Sequence, residues 1–278
     1  MRLIGVLRLL RPVNAAIVFL ATISGAATVT RMFLAQEVLL GAISASLILM
    51  GGNAVNDVFD LEADKVNRPK RPLPRGDLSP KQAFAISLIL SGFGTVLALL
   101  INLRCFIVAL FYAIMFLLYA AWLKPTGLPG NVVVSSGTGV SFVFGSLTVD
   151  WLQPLTTIFA VCAFMLNLGR EIVKGVEDLA GDRARNCRTV AMKHGPRMAG
   201  LLVAGLYVVL LPLGATPFLL GYTGLAYAIS MFVADLVVVA VIKESALLRQ
   251  ENAAKVSSLI KLSMALGIVA FFVGATSR

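Results

Sequence analysis

Long apolar runs alternate with short polar segments along almost the whole chain. A helix that crosses a bilayer needs about 20 mostly apolar residues, and nine runs of roughly this length fit the sequence. Their approximate bounds are 13–30, 38–56, 82–101, 105–123, 132–149, 154–173, 198–214, 218–242 and 259–276. The pattern therefore predicts an all-α, polytopic membrane protein with about nine transmembrane helices.

The composition supports this prediction. Hydrophobic residues make up 58% of the 278 residues and charged residues 14%. Average soluble domains have roughly 45–50% apolar and ~25% charged residues. Because the apolar runs leave no long polar stretch for a second folding unit, we expect a single transmembrane domain over residues 1–278.

The distribution of Lys and Arg residues predicts the orientation in the membrane. If the N-terminus is cytoplasmic, 21 of the 24 basic residues lie in cytoplasmic segments, and three lie outside: Arg31, Arg104 and Arg278. The positive-inside rule describes this asymmetry, so the net charge of +10 does not indicate a nucleic-acid partner. We expect a multi-pass protein of the cell membrane whose basic cytoplasmic surface suits anionic lipids and phosphorylated substrates.

Cysteine and histidine residues offer no pattern for a metal site. Cys105, Cys162 and Cys187 lie far apart without ligand spacing, and isolated cysteines are usually buried and reduced. His194 is the only histidine in the sequence. Because one histidine does not make a zinc site, we expect it at the surface.

Two connections are long and polar, and both lie on the predicted cytoplasmic side. They cover residues 57–81 and 174–197. A pair of aspartates recurs in the two segments at an offset of 118 residues: Asp60 and Asp64, then Asp178 and Asp182. Sites between internal repeats are common in membrane proteins. We therefore predict a pseudo-repeat of four-helix units, about 1–124 and 125–242, followed by a ninth helix.

The first polar segment begins with an acidic column. Residues three and four apart on a helix share a face, and four side chains have this spacing: Asn53, Asp57, Asp60 and Asp64. Carboxylates on one face repel one another, and removing water from them near a membrane is costly. The column therefore indicates a bound cation.

A second column leads into the second polar segment. It consists of Asn167, Glu171, Lys174, Asp178 and Asp182. Carboxylate sites with only oxygen ligands favour hard cations, and Mg²⁺ usually completes its shell with waters and substrate phosphates. Since the sequence has no EF-hand pattern, two facing columns predict a diphosphate held by magnesium ions. Nearby Arg and Lys side chains would neutralise the remaining phosphate oxygens.

Other interpretations of the columns stay open at this point. Helix ends at a membrane surface often carry solvated charges, although this does not explain two columns at matching positions. A cation transporter or channel also uses facing carboxylates, but usually in the middle of a span. A purely structural membrane protein gives no reason for the columns at all.

The columns and their flanks together resemble a known family. Residues 53–74, which end in Lys-Val-Asn-Arg-Pro-Lys-Arg-Pro-Leu-Pro, closely resemble the first Asp-rich signature of the UbiA superfamily of intramembrane prenyltransferases. Residues 177–182 resemble its second Asp-rich motif, and residues 119–124 resemble its Tyr-x-x-x-Leu-Lys element. The likeness extends over the whole chain.

The resemblance implies an Mg²⁺-dependent enzyme with a helical bundle around a central cavity and a cytoplasmic cap formed by the two polar segments. It implies these catalytic residues, which with Asn53 are also the metal ligands: Asp57, Asp60, Asp64, Asp178 and Asp182. The residues that it and the columns assign to substrate binding are Asn53, Asn56, Arg68, Tyr119, Lys124, Asn167, Glu171 and Lys174. The expected partners are a prenyl diphosphate donor, a lipid-like phosphorylated acceptor and membrane lipids, with the oligomeric state unspecified.

The second motif also suggests the acceptor. Residues 170–182 look most like the archaeal members of the superfamily that join a geranylgeranyl group from geranylgeranyl diphosphate to geranylgeranylglyceryl phosphate in ether-lipid synthesis. Four basic residues of the second segment fit a phosphorylated acceptor: Arg183, Arg185, Arg188 and Lys193. The alternatives are an aromatic or quinone-type prenyltransferase, as in the 4-hydroxybenzoate or menaquinone pathways, and a cation or lipid transporter.

Several single residues also carry expectations. We expect Arg11 to anchor the first helix at the membrane interface and Asn14 to face the cavity. Aromatic faces stabilise cations by ~0.5–2 kcal/mol, and the candidates are Phe59, Tyr112, Phe116 and Tyr119. The base that deprotonates the acceptor is an open choice between a carboxylate of either motif and Glu62. Asp235 is a functional candidate because acids inside a membrane are costly.

Overall fold

The computed structural model describes residues 3–149, 151–184 and 187–277. These residues form twelve α-helices and no β-strand, which confirms the all-α prediction. In chain order the helices are α1 (Leu3–Leu10), α2 (Pro12–Ala27), α3 (Gln36–Phe59), α4 (Leu61–Asn67), α5 (Pro80–Leu99), α6 (Leu103–Leu118), α7 (Leu128–Thr148), α8 (Pro154–Glu177), α9 (Leu179–Ala184), α10 (Val190–Leu219), α11 (Leu225–Ala246) and α12 (Ala253–Thr276).

Most of these helices are long and apolar enough to cross a membrane. Among the described residues seven helices meet this condition, and the pair α1–α2 makes an eighth if its two parts, bent by 43°, form one broken span. Helix α7 is also long, but ten of its 21 residues are Gly, Ser or Thr. The multi-pass membrane architecture is confirmed, while the number of nine spans stays a prediction.

Glycine residues bring the backbones of α2 and α7 into direct contact. A Cβ atom at Gly25 would lie 1.9 Å from the carbonyl oxygen of Phe142, and one at Gly145 would lie 1.8 Å from that of Thr22. No side chain tolerates such distances, so only glycine allows this close helix crossing. The contact fixes the spacing of two helices that border the central cavity.

A large apolar core joins α8 to α10, α11 and α12. Phe159 and Phe271 stack with their ring centroids 4.4 Å apart, and Phe142 of α7 meets both rings edge-on. Tyr207 and Tyr227 are fully buried and donate their hydroxyl protons to backbone carbonyl oxygens. Aromatic pairs add ~0.5–1.5 kcal/mol beyond their area burial, so α8 and its acidic motif rest on a tightly packed support.

Both acidic motifs interrupt their helices at corresponding residues. Asp60 lies between the end of α3 and the start of α4, and Asp178 lies between α8 and α9. Each acidic column thus contains a helix boundary, because aspartate side chains compete with the backbone and favour helix ends. The polar segments contain the short helices α4 and α9. The matching breaks agree with the predicted pseudo-repeat, which stays a prediction.

Helix α6 ends in a widened turn. A π-helical turn covers Tyr119–Leu123, and a 3₁₀ turn covers Lys124–Thr126. Such π turns occur frequently at functional sites. This one buries the Tyr119 side chain and brings the Lys124 ammonium into contact with Asp60.

Candidate active site

The two acidic motifs meet through α4 and α9. The Arg68 guanidinium donates to both carboxylate oxygens of Asp178, at 2.9 and 3.0 Å. Asn67 donates to the backbone carbonyl of Asp178 at 3.2 Å and accepts from the N–H of Gly181 at 3.0 Å. A Cβ atom at Gly181 would lie 2.2 Å from Nδ2 of Asn67, so this approach requires glycine. Arg68 and Asp178, which are 110 residues apart in sequence, thus join the two motifs into one surface.

Two arginines bind the carboxylates at the two ends of the first motif. Arg71 donates to Asp64 at 2.6 Å and to Asp57 at 3.2 Å. Arg11 donates to Asp57 and, at 3.3 Å, to the side-chain oxygen of Asn53. Both aspartates are buried. Because buried carboxylates need cationic partners, these contacts hold α4 and the start of α2 against α3.

The middle aspartate of the first motif contacts a lysine and an asparagine. Lys124 donates to Oδ2 of Asp60, and Asn56 donates to the same oxygen at 2.7 Å. The side-chain oxygen of Asn56 is buried and has no hydrogen-bond partner among the described residues. A buried carbonyl oxygen without a donor is suited to a ligand that supplies positive charge.

Asp182 lies close to the opposing motif and interacts electrostatically with Asp178, Lys124 and Asp60. Burial and the neighbouring Asp178 raise the pKa of Asp182 to about 6. Burial also raises the pKa of Asp64, against the opposing effect of Arg71. The site thus concentrates more negative charge than its buried position favours.

The side-chain oxygens of the site are of the kind that binds a hard divalent cation, but their present positions do not form a metal site. Among the residues that the structure describes, no three Asp, Glu, His or Cys side chains converge closely enough to hold a metal ion. Their oxygens contact Arg and Lys side chains instead. All nearby donors are oxygens, and Asn56 Oδ1 and Glu177 Oε1 are buried without a partner in the described chain. Oxygen ligands of this kind suit Mg²⁺ once the Arg and Lys side chains release the carboxylates.

A cavity of about 410 Å³ lies in the helical bundle and is lined by Arg11 and Arg68, the arginines that bind Asp57 and Asp178. Its polar end includes Asn53, Arg68 and Lys174, and its far wall is apolar. The apolar wall comes from α3, α6 and α7: Ile48, Leu49, Val108, Tyr112, Phe116 and Phe144. An elongated cavity with one charged end and one apolar wall suits an amphiphilic ligand with a charged head group.

Most residues assigned to substrate binding line this cavity. They are Asn53, Asn56, Arg68, Tyr119, Asn167, Glu171 and Lys174. Glu171 accepts from Lys174 at 3.2 Å and from Arg170 at 3.3 Å. The remaining residue, Lys124, contacts Asp60 at the polar end. The structure therefore brings the two columns and the Tyr/Lys element to one place.

Arg11 belongs to the site, so the expectation of an interfacial anchor is wrong. The chain bends by 43° between α1 and α2 at this residue, and the bend directs Arg11 toward α3. Its φ of 51° is the only positive value at a non-glycine position in the described chain. Such strained residues cluster at functional sites. Arg71 is a second addition, and its only sequence signal is its place in the basic run after Arg68.

Two other expectations also need correction. Phe59 is 40% exposed on the outer face of α3 and does not line the cavity, whereas Tyr112 and Phe116 do. Glu62 binds Lys65 at 2.7 Å, and 77% of its side chain is exposed. The open choice of base therefore narrows to the carboxylates of the two motifs, because Glu62 faces water.

The basic residues of the second polar segment lie away from the cavity. Arg183, Arg188 and Lys193 are exposed and are not among the lining residues. Arg185 lies outside the described residues. The described basic residues of this segment therefore do not contribute positive charge to the cavity lining.

The other single-residue expectations concern Asn14, the cysteines, His194 and Asp235. Asn14 lines the cavity as expected. The three cysteines are buried and form no disulfide bond within the described residues, and His194 is exposed, which confirms both expectations. Asp235 does not line the cavity, and its Oδ1 is buried without a partner among the described residues.

Similarity to known proteins agrees with this geometry. The chain matches the model of the UbiA prenyltransferase family over residues 16–272. It is 37% identical over 262 residues to a digeranylgeranylglyceryl phosphate synthase of Korarchaeum cryptofilum (strain OPF8), a match that covers 93% of this chain and 92% of that protein.

Two solved structures share the fold. One, described as digeranylgeranylglyceryl phosphate synthase in membranes, has a TM-score of 0.77 at 31% identity and covers 99% of this chain and 98% of that one. The other is a UbiA homolog from Archaeoglobus fulgidus bound to GPP and Mg²⁺, with a TM-score of 0.69 at 19% identity, covering 96% and 99%.

Proposed function

The chain belongs to the UbiA prenyltransferase family, and we propose that it transfers a geranylgeranyl group from geranylgeranyl diphosphate to geranylgeranylglyceryl phosphate, with Mg²⁺ as cofactor. The observation that carries this proposal is the 37% identity to a digeranylgeranylglyceryl phosphate synthase over 93% of the chain. The cavity supports it, because a charged end and a long apolar wall suit a prenyl diphosphate.

The polar end of the cavity would bind the diphosphate group. Four cations lie at or near this end of the cavity. Arg11 and Arg68 line it, and Arg71 and Lys124 contact the neighbouring aspartates. They would leave the aspartates for the phosphate oxygens, where charge-assisted hydrogen bonds are strong. The aspartates of both motifs and Asn53 would then hold Mg²⁺. Bound Mg²⁺ would supply Lewis-acid stabilisation of the negative charge that develops on the departing diphosphate.

The apolar wall would hold the geranylgeranyl chain. Its allylic carbon becomes positively charged as the bond to the diphosphate oxygen breaks, and this carbon has to be kept from water. Tyr112 and Phe116 line the cavity close to where the chain would pass, and aromatic faces stabilise cations. The acceptor hydroxyl oxygen then forms the new ether bond. Its proton passes to a carboxylate of one of the two motifs.

The proposed orientation places both acidic motifs on the cytoplasmic side. Its support is the excess of Lys and Arg residues in the segments that contain α4 and α9. Water-soluble Mg²⁺ and released diphosphate would then exchange with the cytoplasm, while both lipid substrates and the product stay in the membrane.

A labelled-donor assay tests the proposal. Membranes that contain the chain are incubated with radiolabelled geranylgeranyl diphosphate, Mg²⁺ and geranylgeranylglyceryl phosphate, and membranes without the chain are the control. We expect a labelled lipid with two geranylgeranyl chains, lost with EDTA and restored by added Mg²⁺. A labelled product only with 4-hydroxybenzoate would instead indicate an aromatic prenyltransferase. No labelled product with any acceptor would contradict the enzyme assignment.

A further inference from the structure

Lys261 is a cation of the cavity wall that the diphosphate site does not use. It lies on α12 and lines the cavity on the side of α8, together with Arg170 and Lys174. Within the described part of the chain Lys261 forms no ion pair, whereas Arg170 and Lys174 share one carboxylate, that of Glu171. This side of the cavity therefore carries more positive than negative charge.

Arg170 and Lys261 lie at similar depth in the bundle. Helix α8 ends at Glu177 beside the acidic motifs, and α12 starts at Ala253. With a rise of 1.5 Å per residue, Arg170 lies ~10 Å and Lys261 ~12 Å from these helix ends. An anion between them would sit about two helical turns deeper than Asp178, at the level of the cavity rather than at its charged end.

The two sides of the cavity differ in chemistry. The wall formed by α3, α6 and α7 is apolar, and the wall formed by α2, α8 and α12 carries Asn14, Arg170 and Lys261. One long apolar chain fits the first wall. A second ligand with its own negative group fits the second wall, because Lys261 is exposed at the cavity and forms no ion pair within the described residues that an anion would have to displace.

We propose that Lys261, together with Arg170, binds the phosphate monoester of the prenyl acceptor and thereby directs the acceptor hydroxyl toward the reacting carbon. This inference rests on the proposed function. In geranylgeranylglyceryl phosphate the free hydroxyl and the phosphate lie on neighbouring carbons. The acceptor phosphate must therefore lie close to the reacting carbon, and the exposed basic residues Arg183, Arg188 and Lys193 do not line the cavity that would hold this carbon.

Lys255 provides a matched control on the same helix. It binds Glu244 at 2.7 Å, has 62% of its side chain exposed and does not line the cavity. Membrane topology alone accounts for a lysine of that kind. Comparing variants of Lys255 and Lys261 therefore distinguishes the effect of a positive charge anywhere on α12 from the effect of a positive charge that lines the cavity.

The test measures KM for both substrates with the purified full chain, Mg²⁺ and four proteins: wild type, Lys261→Gln, Lys261→Arg and Lys255→Gln. We expect Lys261→Gln to raise the KM for geranylgeranylglyceryl phosphate about tenfold or more, as for loss of a charge-assisted hydrogen bond. Its KM for geranylgeranyl diphosphate should stay unchanged. Lys261→Arg should recover most of the loss, and Lys255→Gln should behave like the wild type.

A second acceptor, geranylgeranylglycerol, removes the phosphate from the ligand instead. The wild type should use it no better than Lys261→Gln does, because the side chain and the phosphate act as a pair. An unchanged acceptor KM in Lys261→Gln, or an equal rise in the donor KM, overturns the inference. A wild type that forms no product from geranylgeranylglyceryl phosphate overturns the proposed function itself, so the two failures are distinguishable.

Discussion

Arg68 binds both carboxylate oxygens of Asp178, at 2.9 and 3.0 Å, and thereby joins the first acidic motif to the second. Both hydrogen bonds come from one guanidinium nitrogen, Nη2, and charge-assisted hydrogen bonds of this kind are strong. The relative position of α4 and α9, and with it the shape of the charged end of the cavity, depends on this pair.

Replacing Arg68 by glutamine tests this contact. Gln removes the positive charge and with it the charge-assisted hydrogen bonds, so we expect kcat/KM for the donor to fall about tenfold or more. Steady-state kinetics with varied geranylgeranyl diphosphate measure the change. Arg183→Gln is the control, because Arg183 lies on α9 but is exposed. Wild-type kinetics in Arg68→Gln would show that the contact does not matter.

The variants Asp57→Asn and Asp60→Asn keep the side-chain shape but remove the charge. Both aspartates are buried and contact cations of the site, so we expect most of the prenyl transfer to be lost while membrane insertion stays intact. Transfer rates and the amount of membrane-extracted protein measure the two effects. Glu62→Gln is the matched control, since Glu62 faces water. Near-normal transfer in both aspartate variants would remove the metal assignment.

Gly181 and Asn67 form a pair that a double-mutant cycle can test. In Gly181→Ala the new Cβ atom would lie 2.2 Å from Nδ2 of Asn67, and overpacking of this kind costs about 1–3 kcal/mol. We expect Gly181→Ala and Asn67→Ala each to lower transfer. The double variant should be no worse than Asn67→Ala, because the clash is then relieved. Fully additive losses would contradict the contact.

The Mg²⁺ requirement should depend on pH through Asp182, whose pKa is raised to about 6. Above this pH the carboxylate is ionised and free to bind the metal, and below it Mg²⁺ has to displace a proton. The Mg²⁺ concentration for half-maximal transfer should therefore rise by about tenfold per pH unit below 6. Magnesium titrations at several pH values measure it. In Asp182→Asn the Mg²⁺ concentration for half-maximal transfer should no longer rise in this way below pH 6. If the rise persists in this variant, Asp182 is not the group that causes it.

Phe116 lines the apolar wall of the cavity. Its ring packs against two glycines: a Cβ atom added at Gly52 would lie 2.9 Å from the ring, and one added at Gly137 would lie 2.8 Å from it. Phe116→Ala should enlarge the apolar part of the cavity and raise the preference for farnesylgeranyl diphosphate, which is one isoprene unit longer, over geranylgeranyl diphosphate. Competition between the two donors measures this. Phe59→Ala, at an exposed position of α3, should leave the preference unchanged.

The sequence was sufficient to predict the elements of the site that follow local rules. The spacing of Asp57, Asp60 and Asp64 predicts that they share a side of one segment, and all three are buried and contact cations of the site. Apolar run length likewise predicts the long helices. The breaks at Asp60 and Asp178 depend on the competition between backbone and side chain, which spacing alone does not express.

The cations of the site were harder to predict because tertiary packing places them. Arg11 reaches Asp57 across 46 residues of sequence, and only the bend between α1 and α2 makes that contact. Lys261 cannot be distinguished from Lys255 by composition or topology, since both follow the positive-inside rule. The difference between them is which face of α12 meets the cavity.

The backbone contact between α2 and α7 at Gly25 and Gly145 has a consequence for how this scaffold diversifies. The two helices have no room to approach further, and parting them would open an apolar seam to lipid. Relatives that take a shorter, longer or differently charged substrate must then change inward-pointing side chains while the helix spacing is kept. New specificities in such a bundle are accessible by single substitutions, whereas a wider chamber would require the whole wall to be rebuilt.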